Sequence, residues 1–74
     1  MTKEINLLKK LFKNREYELN TENKTLLVTI IQDEDDSDYT QASESVRYIF
    51  KDYNIKEIHP QNDTKVLYEF SNYN

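Results

Sequence analysis

One run of residues, Thr25–Gln32, most constrains how this chain can fold. It reads TLLVTIIQ, so apolar side chains stand at both odd and even positions. A strand with two apolar faces is typical of the interior of a sheet, where both faces are covered. The chain has 74 residues and no cysteine, so no disulfide can replace a core built around this strand. We therefore predict a single domain, residues 1–74, with Thr25–Gln32 as an internal strand.

Apolar periodicity predicts a helix and a strand before this run. The helix starts near Thr2 and ends at Asn14 or Arg15, because apolar residues recur with helical spacing between them. Glu16–Asn20 alternates polar and apolar residues, which indicates a strand. An asparagine-type turn at residues 20–23 is expected to join this strand to the apolar run.

The clearest helical period in the chain follows an acidic loop at residues 33–38. Its apolar stripe consists of Tyr39, Ala42, Val46, Ile49, Phe50 and Tyr53. Ser37 or Asp38 is expected to cap the start of this helix, and Asn54 its end. Because the sequence contains no glycine, asparagine is expected wherever the backbone turns left-handed.

Two further strands are predicted near the C-terminus, at Ile55–His59 and Lys65–Ser71, joined by a turn at residues 60–64. In the last strand Val66, Tyr68 and Phe70 are expected to face the core. The resulting order is α-β-β-α-β-β. We predict an α+β fold in which an antiparallel four-stranded sheet carries two helices packed on one face.

Charge is distributed by region. Residues 1–15 have a net charge of +4, residues 16–46 of −8, and residues 47–74 of 0, which sum to the formal −4. The nine carboxylates of the middle region are the predicted partner-binding residues, namely Glu16, Glu18, Glu22, Asp33, Glu34, Asp35, Asp36, Asp38 and Glu44. A fixed array of carboxylates can imitate the phosphates of DNA. The simpler interpretation is an acidic loop that keeps a small domain in solution and caps a helix.

Several kinds of chemistry are not expected. A chain without glycine cannot form a Gly-rich phosphate loop, and without cysteine its single histidine, His59, is a poor basis for a zinc site. We expect His59 at a surface turn, no catalytic residues, no metal and no cofactor. The protein is therefore predicted not to be an enzyme.

Calcium binding is a weaker alternative for the acidic loop. The EF-hand ligand positions 1, 3, 5, 9 and 12 would be filled by Asp33, Asp35, Ser37, Gln41 and Glu44. Position 6 would be Asp38, where the EF-hand turn needs glycine. The segment entering the loop is also predicted to be a strand rather than a helix.

In general character the chain resembles the small proteins with which phages disable host machinery. Asn, Lys, Ile and Tyr supply 28 of its residues and Gly, Ala, Pro and Arg only 4, a bias that suits an AT-rich genome. Among these proteins it resembles the DNA mimics, including inhibitors of the nucleoid protein HU and some anti-CRISPR proteins. The resemblance, carried by the nine carboxylates, implies a host protein with a basic DNA-binding groove as partner, and often a homodimer.

Two rival interpretations remain open: an acidic immunity or antitoxin protein that neutralises a basic toxin, and a structural or assembly protein of a phage. No apolar run reaches the length of a membrane span and no signal peptide pattern is seen, so we expect a cytoplasmic protein, in the host cell if phage-encoded. No direct contact with nucleic acid or membrane is expected.

A homodimer is also predicted. Helices on one side leave the second face of the sheet open, where Leu27 and Ile31, or Leu67, would form an apolar patch. The lysines of the first helix are expected to be solvated or to meet the acidic region of a second copy.

Overall fold

The two-sided apolar run forms an inner strand in the computed structural model, which describes residues 1–58 and 64–72. The elements in this part of the chain are α1 (Thr2–Leu11), β1 (Tyr17–Asn20), β2 (Thr25–Thr29), α2 (Ser37–Ile49), β3 (Tyr53–Ile58) and β4 (Lys65–Asn72). All strand pairs are antiparallel, and the strand order is β1-β2-β4-β3. The predicted α+β fold, element order and internal position of β2 are therefore confirmed, although β2 ends at Thr29.

One face of this sheet carries the core. Leu26 of β2 stands opposite Leu19 of β1 and Tyr68 of β4, so these side chains share a face. Buried residues of both helices lie in the same cluster as alternating residues of the inner strands, and this core consists of Leu8, Phe12, Leu26, Val28, Ala42, Val46, Ile49, Phe50, Val66, Tyr68 and Phe70. This shared cluster is the arrangement expected for two helices that pack on one face of the sheet.

The second face of the sheet has a shorter apolar row. Leu27 of β2 pairs with Leu67 of β4, which pairs with Ile58 of β3. All three side chains are half-buried, and Glu18 continues the row on β1 as an exposed residue. Ile31 does not belong to this row, because it lies beyond the end of β2.

Both helices end earlier than predicted. α1 stops at Leu11 rather than at Asn14 or Arg15, because the backbone of the buried residue Phe12 leaves the helical conformation (φ −108°, ψ 25°). The Phe12 N–H still donates to the carbonyl of Leu8 at 2.8 Å, which is the last hydrogen bond of the helix. α2 stops at Ile49, and the predicted cap Asn54 lies instead in β3.

Tyr53 was expected to extend the stripe of α2 but is the first residue of β3. The chain turns directly after Phe50, and the Tyr53 N–H donates to the Phe50 carbonyl at 3.0 Å. Phe50 stacks on Phe70 with ring centroids 3.9 Å apart, and Tyr53 packs against both rings from the strand. Tyr53 fits the helical spacing of α2, yet it packs into this aromatic cluster from β3. Periodicity alone therefore could not locate the end of the helix.

The left-handed positions also differ from the prediction. In the two described ranges, the non-glycine residues with positive φ are Lys24 and Asp36, both at 55°, and neither is asparagine. Asparagine acts through its side chain instead, since Asn20 Oδ1 accepts the Asn23 N–H at 3.0 Å and closes the predicted β1–β2 turn. The predicted turn at 60–64 falls mostly, and the surface position of His59 entirely, outside the described residues.

Replacing a core residue of β2 tests this architecture. Leu26 is fully buried, so Leu26→Ala should lower the free energy of unfolding by about 2–5 kcal/mol. Tyr48→Ala is the control, because 58% of Tyr48 is exposed and the expected change is within about 0.5 kcal/mol. Urea unfolding of the two variants measures both values. Equal losses would contradict the position of β2 at the centre of the core.

Candidate functional site

Three of the nine predicted carboxylates lie along the outer edge of the sheet. Glu18 lies on β1, an edge strand, and faces away from the core next to Leu27. Glu16 precedes β1, and its carbonyl accepts the Thr29 N–H at 3.0 Å, which continues the β1–β2 pairing by one step. Glu22 lies in the turn at the other end of β1. All three are exposed, and together they form a row that we call the acidic edge.

The acidic loop joins this row at the end marked by Glu16. Glu16 pairs with Thr29, and the loop begins a few residues after Thr29, so its carboxylates continue from that end of the acidic edge. Glu34 and Asp36 are exposed there. Few cations lie among these carboxylates. Lys65 is beside Glu16 and Glu18, and Lys24 is in the β1–β2 turn.

Two other loop carboxylates make contacts that organise the start of α2. Asp33 Oδ2 accepts a hydrogen bond from the Ser37 hydroxyl at 2.8 Å, and Asp35 Oδ1 accepts the Ser37 N–H at 3.1 Å. The N-cap residue of α2 is Asp36, which makes no side-chain cap hydrogen bond, so the predicted cap at Ser37 or Asp38 is wrong. Glu44 is exposed on α2, in neither the acidic edge nor the loop.

Asp38 does not belong to the exposed acidic surface, because it forms a bidentate ion pair with Arg15. Arg15 Nη1 and Nη2 each donate to one Asp38 oxygen at 2.8 Å, and Nη1 also donates to the Thr29 carbonyl at 3.2 Å. The Ile31 N–H donates to Asp38 Oδ2 at 2.6 Å. Both charged side chains are mostly buried, with exposures of 17% and 16%. Asp38 is thus a structural residue that joins the end of α1, the end of β2 and the start of α2.

The hydrogen bonds between Arg15 and Asp38 shift the pKa of each residue in the direction that favours its charged form. The hydrogen bonds from Arg15 and from the Ile31 N–H lower the pKa of Asp38, against the opposing effect of burial. Hydrogen bonding to Asp38 raises the pKa of Arg15. A lowered carboxyl pKa means that the pair stabilises the fold above the usual value of 3.8 and that this stabilisation is lost as pH falls through the folded-state pKa.

A second polar cluster, which the sequence did not indicate, lies between α2 and β3. Glu57 accepts hydrogen bonds from the hydroxyls of Tyr39 and Ser43, and Arg47 lies 3.7 Å from its carboxylate. The hydrogen bond to Glu57 raises the pKa of Tyr39. The neighbouring Tyr68 is fully buried, and burial raises its pKa to about 12. These residues give hydrogen-bond and ion-pair partners to the Glu57 carboxylate, which lies on the core face of the edge strand β3.

An open groove lies beside the Arg15–Asp38 pair, and sequence reasoning also missed it. It has a volume of about 390 Å³ and runs between the end of α1 and the residues that follow β2. Two exposed apolar side chains line it, Leu11 at 47% and Ile31 at 71% exposure. The early end of β2 at Thr29 is what leaves Ile31 outside the sheet.

The two described ranges contain no group of three or more His, Cys, Asp or Glu side chains arranged to hold a metal ion. Three of the calcium ligands considered from the sequence, Ser37, Gln41 and Glu44, lie within α2. No helix in the same ranges has the length and apolar character needed to cross a membrane.

Comparison with protein-family models, curated proteins and solved structures gave no match.

The structure predicts a specific pH dependence for Asp38→Asn. At neutral pH the variant should lose about 1.5–3 kcal/mol of unfolding free energy, because hydrogen bonds to a charged partner are lost. The gap to the unmodified chain should shrink as pH falls below about 4 toward the folded-state pKa of Asp38, since the unmodified carboxyl then becomes neutral too.

Urea unfolding across pH measures this gap. The control is Asp52→Asn, which removes the exposed Lys3–Asp52 pair and should change stability by less than about 0.5 kcal/mol. A gap for Asp38→Asn that is small at neutral pH, or that persists in acid, would contradict the structural role of the pair.

Proposed function

We propose that this chain is a non-enzymatic inhibitor that acts in the cytoplasm by placing its acidic edge on the DNA-binding surface of a basic protein. The observation that supports this most is the alignment of Glu16 and Glu18 along the edge strand, extended by Glu22 in the turn at one end and by the exposed carboxylates of the loop at the other. A phage-encoded origin in a bacterial host fits the composition of the chain but adds nothing to the mechanism.

The spacing of these carboxylates suits contact with sites that bind phosphate. Residues two apart in a strand are about 6.6 Å apart, so such carboxylates present negative charges at a short and regular spacing, as the phosphates of a DNA strand do. Glu16 and Glu18 have this relationship, and their backbone is held by pairing with β2. A strand presents its charges in a fixed array, so less conformational entropy is lost on binding than with a flexible acidic tail.

Electrostatics favour the encounter as well. The exposed carboxylates of the acidic edge and the loop outnumber the lysines beside them, which are Lys24, Lys65 and, at the Glu16 end, Lys10 and Lys13, so the surface offered to the partner is negative on balance. Such a field accelerates association with a basic groove and weakens as salt screens it. Asp38 contributes little to this field because Arg15 neutralises it. Glu34 and Asp36 are therefore the loop residues that we assign to the binding surface, together with the acidic edge.

A matched pair of triple variants tests the proposal. Glu16→Gln/Glu18→Gln/Glu22→Gln removes the acidic edge, whereas Glu44→Gln/Asp52→Asn/Glu69→Gln removes three exposed carboxylates elsewhere. Both change the net charge from −4 to −1, so only position differs. Each protein is immobilised, incubated with nuclease-treated bacterial lysate and eluted with duplex DNA.

The unmodified chain should retain DNA-binding proteins that added duplex releases. The edge variant should lose roughly tenfold or more in retained partner, as expected from three charges each contributing a few tenths to about 1 kcal/mol. The control variant should retain its partner within about twofold. Equal retention by both variants, or partners that duplex DNA does not release, would contradict DNA mimicry. Release of a basic toxin only at high salt would favour an immunity or antitoxin role, and a neutral partner would favour an assembly role.

A further inference from the structure

The groove beside α1 presents apolar side chains that the fold itself does not use. Leu11 and Ile31 both line it, and 47% and 71% of these residues are exposed. Exposed apolar side chains that lie together indicate an interaction surface. By contrast, the apolar row on the second face of the sheet, Leu27, Leu67 and Ile58, is half-buried.

The Arg15–Asp38 pair in the groove, with the backbone groups beside it, is already satisfied within the chain. Arg15 donates to Asp38 and to the Thr29 carbonyl, and Asp38 also accepts the Ile31 N–H. A small polar ligand would have to displace these contacts. A macromolecular surface that covers Leu11 and Ile31 and leaves the ion pair intact would not.

The charges around the groove favour a particular partner. Lys10 and Lys13 lie on its helix side, whereas Glu16, paired with Thr29, lies on its sheet side. The acidic loop begins two residues after Ile31. A surface that is basic on one side, apolar in the middle and acidic on the other is complementary to its own two-fold copy.

We propose that this groove is the interface of a two-fold homodimer. Leu11 and Ile31 of the two copies pack at the centre, and Lys13 of each copy faces Glu16 of the other, which leaves Glu18, Glu22, Glu34 and Asp36 of the acidic surface open to a basic partner. This assignment moves the dimer contact away from the second face of the sheet, because Ile31 lies in the groove. The inference does not rest on the proposed function, since it is tested by mass alone and needs no host partner.

Sedimentation velocity from about 1 µM to about 1 mM, a range that spans weak association, measures the mass of the chain. The unmodified chain should shift from monomer to dimer within this range, whereas Ile31→Lys should raise the dissociation constant at least tenfold. The control is Tyr48→Lys, because Tyr48 is a 58% exposed aromatic residue on α2 outside the groove. The control should dimerise as the unmodified chain does.

Charge reversal gives a second and more specific test. Lys13→Glu and Glu16→Lys should each be monomeric, because each places like charges in contact across the two-fold axis. An equimolar mixture of the two variants should dimerise, since every pair across that interface is then of opposite sign. The double variant should also dimerise.

Three results would overturn the proposal. They are a monomer at every concentration of the unmodified chain, a dimer that Ile31→Lys leaves intact and Leu67→Lys abolishes, and a mixture of charge-reversed variants that stays monomeric. The second of these would place the interface on the second face of the sheet.

Discussion

The bidentate pair between Arg15 and Asp38 is the contact on which the positions of the acidic loop, the acidic edge and the groove depend. It ties the turn after α1 to the start of α2, and through the Thr29 carbonyl and the Ile31 N–H it holds the end of β2. The acidic loop starts directly beyond that point and the acidic edge ends there at Glu16. One internal ion pair therefore sets the relative positions of the two carboxylate groups and of the groove.

Much of the fold follows from the sequence because hydrophobic periods differ clearly between its helices and strands. The two-sided run around Leu26 identified the inner strand, and the alternation of Val66, Tyr68 and Phe70 identified the core face of β4, as the structure bears out. Element ends were less predictable. Tyr53 continues the helical spacing of α2, yet it joins the aromatic cluster around Phe50 from a strand.

The candidate site was less accessible to sequence reasoning, because its decisive contacts join distant residues. A count of charges finds nine carboxylates, but it cannot reveal that Asp38 pairs with an arginine 23 positions away. One signal was available: the chain has eight lysines and only two arginines, and the arginine fork suits mostly buried carboxylates. Arg15 pairs with Asp38, and Arg47 approaches Glu57 at 3.7 Å. The groove depends on where β2 ends, which no periodicity indicates.

A double-mutant cycle on Arg15 and Asp38 tests this account most directly. Arg15→Gln, Asp38→Asn and the double variant are unfolded in urea at neutral pH, and the coupling energy is the difference between the summed single effects and the double effect. The account predicts a coupling of at least about 1 kcal/mol, because each side chain organises the segments that hold the other. A coupling near zero would mean that α1, β2 and α2 are positioned independently of this pair, and would contradict the account.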